Sequence, residues 1–173
     1  TVTYPHAYPE SQGLYDPAHE HDACGVAFVA TLTGEASHDI VRKGITALHN
    51  LDHRGAAGAE TNSGDGAGIL IQVPDAFLRD VVREAGFELP SASAYAVGTA
   101  FLPGDAEHVA KTVRRIEEIA EEENLEVLGW REVPVDASSL GKTAHAVMPT
   151  FSQLFVAGRG SRVTGMALER LAF

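Results

Sequence analysis

The sequence predicts a globular domain that combines α-helices with β-strands, and three observations support this. The 173 residues are 45% hydrophobic and 21% charged, which suits one domain of ordinary size with its own core. Short apolar runs typical of strands alternate with segments of helical periodicity. Signs of tight hairpins are few. The pattern by itself therefore leaves both the α/β and the α+β classes open.

The N-terminal stretch, residues 1–23, is predicted to be an extended leader. It contains Pro5, Pro9 and Pro17 and shows no apolar periodicity, so it can bury little surface. It has neither the basic start nor the apolar stretch of a secretory signal. No apolar run in the chain approaches the roughly 20 residues that span a bilayer.

Two strands and a helix are predicted between the leader and Pro74. Residues 25–32 and 69–73 are continuous apolar runs, which is the pattern of buried strands. Between them, Ser37 is suited to cap a helix that continues to a turn at Gly55. The apolar stripe of this helix is predicted to comprise Val41, Ile45, Leu48 and Leu51.

The second half of the chain repeats the alternation of strand and helix. Pro74 suits the first turn of a helix, where a missing N–H is tolerated. A strand over residues 94–102 leads to Asp105, a residue type that caps helix N-termini. Further patterns predict strands over residues 125–135 and 151–157 and a helix from residue 165 onwards.

Glutamates crowd the end of the helix that follows Asp105. Negative charge is disfavoured at a helix C-terminus, so the crowding is unusual. We interpret it as a solvated acidic face, with a metal or ligand site as the weaker alternative. The residues are Glu117, Glu118, Glu121, Glu122 and Glu123.

Charge and cysteine content limit the partners and the compartment. The chain has 13 basic and 24 acidic residues, a net charge of −11, which argues against nucleic acid or an anionic membrane as partner. A single cysteine cannot form an internal disulfide, as is usual in a reducing cytoplasm. We therefore expect a cytoplasmic protein.

Cys24, the only cysteine, stands at the head of the first apolar run. A lone cysteine is more often a small buried hydrophobe than a nucleophile, but a rigid strand end is a good mount for a reactive group. If residues 1–23 were removed, Cys24 would carry a free amine beside its thiol, which supplies a base and a nucleophile together. Downstream, His53-Arg54-Gly55 is either a polar helix cap or a turn held against the nucleophile.

Two other ligand-binding interpretations are weaker. The loop over Gly64–Gly68 resembles a phosphate cradle, but it precedes a strand and lacks the Gly-Lys-Ser/Thr ending, so a tight turn or a close backbone approach explains it as well. His19, His21 and Asp22 with Cys24 are ligand-type side chains, but they form one cluster in the leader without a second pair of cysteines. No metal site is predicted.

Taken together, these motifs resemble the N-terminal glutaminase domain of the glutamate synthase large subunit, a class II glutamine amidotransferase. The resemblance covers almost the whole chain after residue 20, with motifs in the order found in that family. It is carried by Asp22-Ala23-Cys24-Gly25-Val26, His53-Arg54-Gly55-Ala56, Gly64-Asp65-Gly66-Ala67-Gly68-Ile69-Leu70, Tyr95-Ala96-Val97-Gly98, Leu128-Gly129-Trp130-Arg131 and Gln153-Leu154-Phe155-Val156.

The resemblance implies an α+β fold, the four-layer αββα sandwich of the N-terminal-nucleophile hydrolases, of which this chain holds the first part. It implies cleavage between Ala23 and Cys24, which leaves residues 24–173 as the amidotransferase domain. Cys24 is the implied catalytic residue, and Arg54 and Gly55 shape the site. The oxyanion-hole and substrate-binding residues are expected beyond Phe173, so the chain as given is expected to be truncated and to have little activity.

The implied function is hydrolysis of glutamine to glutamate and ammonia through a Cys24 thioester. The ammonia then reaches a synthase site for reductive amination of 2-oxoglutarate. No cofactor is expected in this chain, whereas FMN and an iron–sulfur cluster are expected in the full-length enzyme. The expected partners are glutamine, the remaining synthase domains and a small electron-donating subunit. The alternatives are a non-catalytic remnant of the same domain and another class II amidotransferase.

Overall fold

The computed structural model describes residues 12–14, 16, 25–52, 60, 64, 66–160 and 163–172. The chain divides into two compact units, residues 1–72 and 73–173. The described part of the first unit contains one helix, α1 (His38–Asn50). The described part of the second contains α2 (Asp75–Glu84), β1 (Ala96–Leu102), α3 (Ala106–Glu122), β2 (Leu125–Glu132), α4 (Lys142–Ala146), β3 (Thr150–Gly158) and α5 (Met166–Ala172).

The three strands form one antiparallel sheet in the order β1-β3-β2. Both β1 and β2 pair antiparallel with β3, so they run parallel to each other, with α3 as the crossover between them. This pairing decides the class that the pattern left open, because an antiparallel sheet with packed helices is α+β. The described residues hold this one sheet, so the two-sheet sandwich implied by the resemblance is not confirmed.

The sheet separates two apolar clusters. Phe155 and Val156 are consecutive on the central strand, so their side chains point to opposite faces of the sheet. Phe155, which has no exposed surface, packs with Leu78 and Val82 of α2. Val156 packs on the other face, in a cluster with Ala120 of α3, Leu125 of β2 and Leu168 of α5. The second unit therefore has a helix–sheet–helix arrangement.

A glycine allows an aromatic ring to lie directly on β2. A Cβ atom at Gly129 would be 2.7 Å from two ring atoms of Phe87, closer than real Cβ contacts come. The Phe87 ring also meets Phe155 edge to face, with centroids 5.5 Å apart at 63°. Gly129 pairs with Phe155 in the sheet register. The Phe87 ring occupies the space that a side chain at position 129 would take.

A polar cluster fastens α2 to the segment that leads into β1. Arg79 donates to both carboxylate oxygens of Asp75, at 2.9 and 3.1 Å, and to the carbonyl oxygens of Leu89 and Pro90. The hydroxyl of Tyr95 donates to Asp75 at 3.0 Å. Burial first, and then the hydrogen bond to Asp75, raise the pKa of Tyr95 to about 12. This cluster was not predicted from the sequence, although the spacing of Asp75 and Arg79 is that of a helical ion pair.

Most of the helices begin where the sequence predicted them to begin. The side chain of Ser37 accepts from the backbone N–H of Asp39 at 3.1 Å, and Asp105 accepts from that of His108 at 2.9 Å, so both predicted N-caps are confirmed. Pro74 occupies the N-cap position itself rather than the first helical turn. The short helix α4 was not predicted.

The predicted strands at residues 25–32 and 69–73 are not formed. The first segment leaves Val26 and Phe28 exposed by 91% and 93%, and the second leaves Leu70 fully exposed. Extended apolar segments become strands only when a neighbouring strand satisfies their backbone groups. No described residue pairs with either segment in a sheet ladder, so the apolar pattern alone did not suffice.

Candidate active site

The predicted site residues Cys24, Arg54 and Gly55 lie outside the described residues. The residues that flank them along the chain are described. Gly25 follows Cys24 directly, and Leu51 precedes Arg54 by three positions. Both belong to the unit formed by residues 1–72, where α1 is the one regular element of the described part.

Helix α1 organises this part of the chain through a half-buried face. The prediction that Ile45 belongs to the apolar stripe is wrong, because its side chain is 42% exposed. Small residues, Gly44 and Ala47, take its place on the covered side. Counted from Gly44, the other members of the covered side lie three, four or seven residues away, so all of them share one face of the helix. The half-buried residues of this face are Ile40, Val41, Gly44, Ala47, Leu48 and Leu51.

Leu51, at the C-terminal end of this face, lies directly against Gly25. A Cβ atom at Gly25 would be 2.8 Å from Leu51 Cδ2, 3.2 Å from Cδ1 and 3.3 Å from Cβ. Leu51 is itself anchored as the C-cap of α1, where its N–H lies 3.1 Å from the carbonyl oxygens of Ala47 and Leu48. The residue next to the predicted nucleophile therefore packs on the residue that ends the helix.

A second close approach joins α1 to the segment after the glycine-rich loop. A Cβ atom at Gly44 would be 2.9 Å from Ile69 Cδ1, and the next atom of that side chain is 3.8 Å away. Both segments that the sequence predicted as strands thus contact α1. In the described residues these two segments therefore pack against a helix and do not pair with other strands.

The glycine-rich loop has open space around its described glycines. A Cβ atom at Gly66 or Gly68 would meet no described atom within 4 Å. The predicted close backbone approach to Cys24 stays a prediction, because Cys24 lies outside the described residues. Asp65 lies outside the described residues.

The ion pairs of α1 lie in its N-terminal half. Asp39 pairs with Lys43 at 2.7 Å and with Arg42 at 2.6 Å, and these hydrogen bonds lower the pKa of Asp39. A carboxylate at this end of a helix also interacts favourably with the helix dipole. This cluster stabilises the start of the helix, at the opposite end from Leu51.

The acidic end of α3 carries exposed ion pairs. Glu118 and Glu122 both accept from Arg115 at 3.2 Å, and Glu121 accepts from Arg159 at 2.7 Å. These glutamate side chains are between 52% and 66% exposed. The prediction of a solvated acidic face is confirmed for Glu118, Glu121, Glu122 and Glu123, which are exposed. It is wrong for Glu117, which is half-buried and accepts from the indole N–H of Trp130 at 2.8 Å.

Neither metal-binding nor membrane-spanning features occur in the described part of the chain. Among those residues, no three of His, Cys, Asp or Glu are grouped so that they could hold a metal ion. The ligand-type side chains from His19 to Cys24 lie outside the described residues. The helices that the structure describes also lack the combined length and apolar character needed to cross a bilayer.

Residues 24–173 match the family described as "Glutamine amidotransferases class-II". The chain belongs to the class II glutamine amidotransferases. The matched region begins at Cys24, the residue predicted as the nucleophile, and continues to the last residue of the chain.

Relatives of this amidotransferase chain are named as glutamate synthases. It is 40% identical over 162 residues, or 94% of its length, to the glutamate synthase [NADPH] large chain of Bacillus subtilis. It is 43% identical over 84% of its length to the glutamate synthase [NADH] of Saccharomyces cerevisiae. It is 39% identical over 86% of its length to the chloroplastic/mitochondrial ferredoxin-dependent glutamate synthase 1 of Arabidopsis thaliana. The chain spans 10%, 7% and 9% of these relatives, respectively.

Proposed function

We propose that this amidotransferase chain supplies the glutaminase activity of a glutamate synthase. The observation that carries the proposal is the family match from Cys24 onwards, combined with glutamate synthase relatives at about 40% identity. The reaction is hydrolysis of the side-chain amide of glutamine to glutamate and ammonia. In the full-length enzyme the ammonia is used for reductive amination of 2-oxoglutarate, which is a route of ammonia assimilation.

In the proposed mechanism, removal of residues 1–23 leaves Cys24 with a free α-amine. An α-amine has a pKa of about 8, near working pH, whereas the peptide nitrogen of an internal cysteine is not basic. The amine accepts the thiol proton, directly or through a water, and the sulfur attacks the amide carbon of glutamine. The proton then passes to the departing nitrogen, the C–N bond breaks, and a thioester remains on Cys24.

Water completes the cycle. It attacks the thioester carbon, the C–S bond breaks, and the thiol takes back a proton while glutamate leaves. Each tetrahedral intermediate carries an oxyanion that preorganised donors must hold. We propose that these donors come from outside residues 1–173, and that Arg54 and Gly55 shape the site without transferring protons.

The redox cofactors belong to other parts of the proposed full-length enzyme. An iron–sulfur cluster needs several cysteine thiolates, and this chain has one cysteine. The residues present therefore do not fit the cluster, and no step proposed here uses it or FMN. A small electron-donating subunit remains part of the proposal. The relatives are named for NADPH, NADH or ferredoxin, so their names indicate no single electron donor.

The test uses the full-length enzyme and a Cys24→Ala variant. We expect the variant to lose glutamine-dependent glutamate formation and to retain synthesis from added ammonia. Intact-mass analysis of the mature wild-type enzyme should show Cys24 as the first residue, and a glutamine-analogue electrophile should label it. Substantial glutaminase turnover in the alanine variant would refute the nucleophile role. An active mature enzyme that starts at Thr1 would refute the role of the free amine.

The purified 173-residue chain provides the second measurement. Loss of one oxyanion donor typically lowers the rate by about a hundred- to a thousand-fold, so we expect the isolated chain to release ammonia slowly. Rapid ammonia release would show that residues 1–173 already contain the donors.

A further inference from the structure

We propose that Leu51 is a positioning residue for the Cys24 nucleophile and acts through Gly25. This inference rests on the function proposed above and adds to it a residue that never touches the substrate. It concerns the end of α1, where the Leu51 side chain lies against the Gly25 backbone.

The contact involves the whole leucine side chain and not only its tip. The distances from a Cβ atom at Gly25 rise only from 2.8 Å at Leu51 Cδ2 to 3.3 Å at Leu51 Cβ. Rotating the leucine would move its two methyl groups, but its Cβ atom is fixed by the helix backbone. An added methyl group at Gly25 therefore forces the leucine methyl groups to rotate away or the main chain of residue 25 to move, and rotation alone leaves the 3.3 Å approach to Leu51 Cβ.

That displacement would be passed to the nucleophile. Consecutive Cα atoms are held about 3.8 Å apart by a planar peptide, so a shift at Gly25 also moves the main chain of Cys24. Leu51 is in turn held by its backbone hydrogen bonds to α1 and stands two residues before the His53-Arg54-Gly55 motif in the sequence. One apolar contact thus joins the two sequence segments from which the proposed site is built.

A hydrocarbon side chain can hold a position but cannot move a proton. Its removal or displacement should therefore change how well the sulfur is aligned for attack, and leave glutamine binding largely unchanged. Catalytic groups need to be held within about 0.5 Å of the productive geometry. A misplacement of about 1 Å can lower the rate about a hundredfold.

The experiment compares Gly25→Ala, Leu51→Ala and the double variant in the full-length enzyme. Each is made with Cys24 as its first residue, verified by intact mass, so that leader cleavage cannot affect the result. Glutaminase kcat and KM are measured, together with glutamate formation from added ammonia as a test of the remaining enzyme. Gly44→Ala is the matched control, because its nearest contact, 2.9 Å, is with the mobile end of Ile69 alone.

We expect Gly25→Ala to lower kcat about a hundredfold with KM changed less than about threefold. The double variant should recover at least about tenfold of that loss, because Leu51→Ala removes the two closest atoms, Cδ2 at 2.8 Å and Cδ1 at 3.2 Å, and leaves only the 3.3 Å approach to Cβ. Leu51→Ala alone should lower kcat by about tenfold, since Gly25 then loses its support. Gly44→Ala should leave kcat unchanged, and ammonia-dependent synthesis should be unchanged in all variants.

Three outcomes would overturn the proposal. These are a wild-type kcat in Gly25→Ala, a double variant no better than Gly25→Ala, and an unchanged kcat in Leu51→Ala. The last of these decides the matter if Gly25→Ala does not fold, because Leu51→Ala introduces no clash. Failure of the proposed function is a different result: glutaminase activity would then persist in Cys24→Ala, whatever the Leu51 variants do.

Discussion

The two units of this chain contain similar apolar runs, but the described residues bury them in only one unit. In residues 73–173, Phe155 is completely buried and packs between α2 and the sheet. In residues 1–72, no described residue is buried, and Phe28 is 93% exposed although it lies in an equally apolar run. The difference lies in strand pairing. β3 has a partner strand on each side, whereas no described residue pairs with residues 25–31.

The comparison shows what an apolar run requires before it forms a core. Alternating side chains are buried only when backbone hydrogen bonds fix which side of the strand faces inward. In the second unit β3 supplies both the pairing and the register, and helices then cover both faces of the sheet. The described segments of the first unit have a helix, α1, as their neighbour, and a helix offers no free backbone groups along its side.

The largest expected effect comes from truncating one phenylalanine in each unit. Phe155→Ala should lower the free energy of unfolding by about 3–5 kcal/mol, because it leaves a cavity against α2. Phe28→Ala should change it by less than about 0.5 kcal/mol, since this ring is exposed. Urea denaturation of the 173-residue chain measures both variants when it is followed by far-UV circular dichroism, which reports both units, and by fluorescence of its only tryptophan, Trp130, which reports the second unit. Equal losses in the two variants would contradict the contrast in burial.

The next effect tests close packing at glycines. Gly129→Ala should destabilise the second unit by about 1–3 kcal/mol, because the new methyl group overlaps the Phe87 ring. Gly68→Ala in the first unit is the control, since no described atom lies within 4 Å of its new methyl group. The same urea titration measures both. A stable Gly129→Ala variant would mean that Phe87 can leave the surface of β2 at little cost.

A smaller effect depends on pH and concerns Tyr95. Its pKa is raised from 10.0 to about 12, so the folded chain holds the phenolic proton more tightly than the unfolded chain does. The resulting stabilisation is fully present below pH 10 and is lost as the pH rises towards 12. Tyr95→Phe should lose about 1 kcal/mol at neutral pH, the typical worth of a hydrogen bond. The difference in free energy of unfolding between the wild type and Tyr95→Phe should shrink above pH 10. The same difference at pH 7 and above pH 10 would refute this.

The smallest effect compares the helix caps of the two units. Asp105→Ala removes the cap of α3, which packs on the sheet, so it should lower the unfolding midpoint reported by Trp130. Ser37→Ala removes the cap of α1, which contains no buried residue, and should not move that midpoint. It should instead speed amide hydrogen exchange in the first turn of α1 by about fivefold, equivalent to about 1 kcal/mol. A shift of the Trp130 midpoint in Ser37→Ala would show that α1 supports the second unit.

Much of the local structure could be predicted from the sequence. The caps at Ser37 and Asp105 and the strands β1, β2 and β3 follow from hydrogen-bonding side chains and short-range apolar patterns, which act over a few neighbouring residues. Cys24 could be singled out as a candidate because it is the only thiol in the chain. The family could be recognised because its motifs occur in a fixed order.

Other features depend on residues far apart in the sequence. The placement of β3 between β1 and β2, which makes the fold α+β, is a matter of long-range pairing that periodicity does not encode. The same limit explains why the segments 25–32 and 69–73 are apolar but not strands, since no described residue pairs with them in a sheet. The exposure of Ile45 also follows from tertiary contacts, since neighbouring segments approach α1 over Gly44 instead.

The sequence by itself determined the chemistry available to this protein: a single thiol, an acidic surface and the helix caps, all of which follow from side-chain identity. Only the tertiary structure decided which of these groups meet. Gly25 and Leu51 are 26 positions apart in the chain, and nothing in their local sequence brings them together. Their contact exists because glycine has no side chain and the end of α1 directs a leucine into that space. Such complementarity between distant residues is a property of the packed chain.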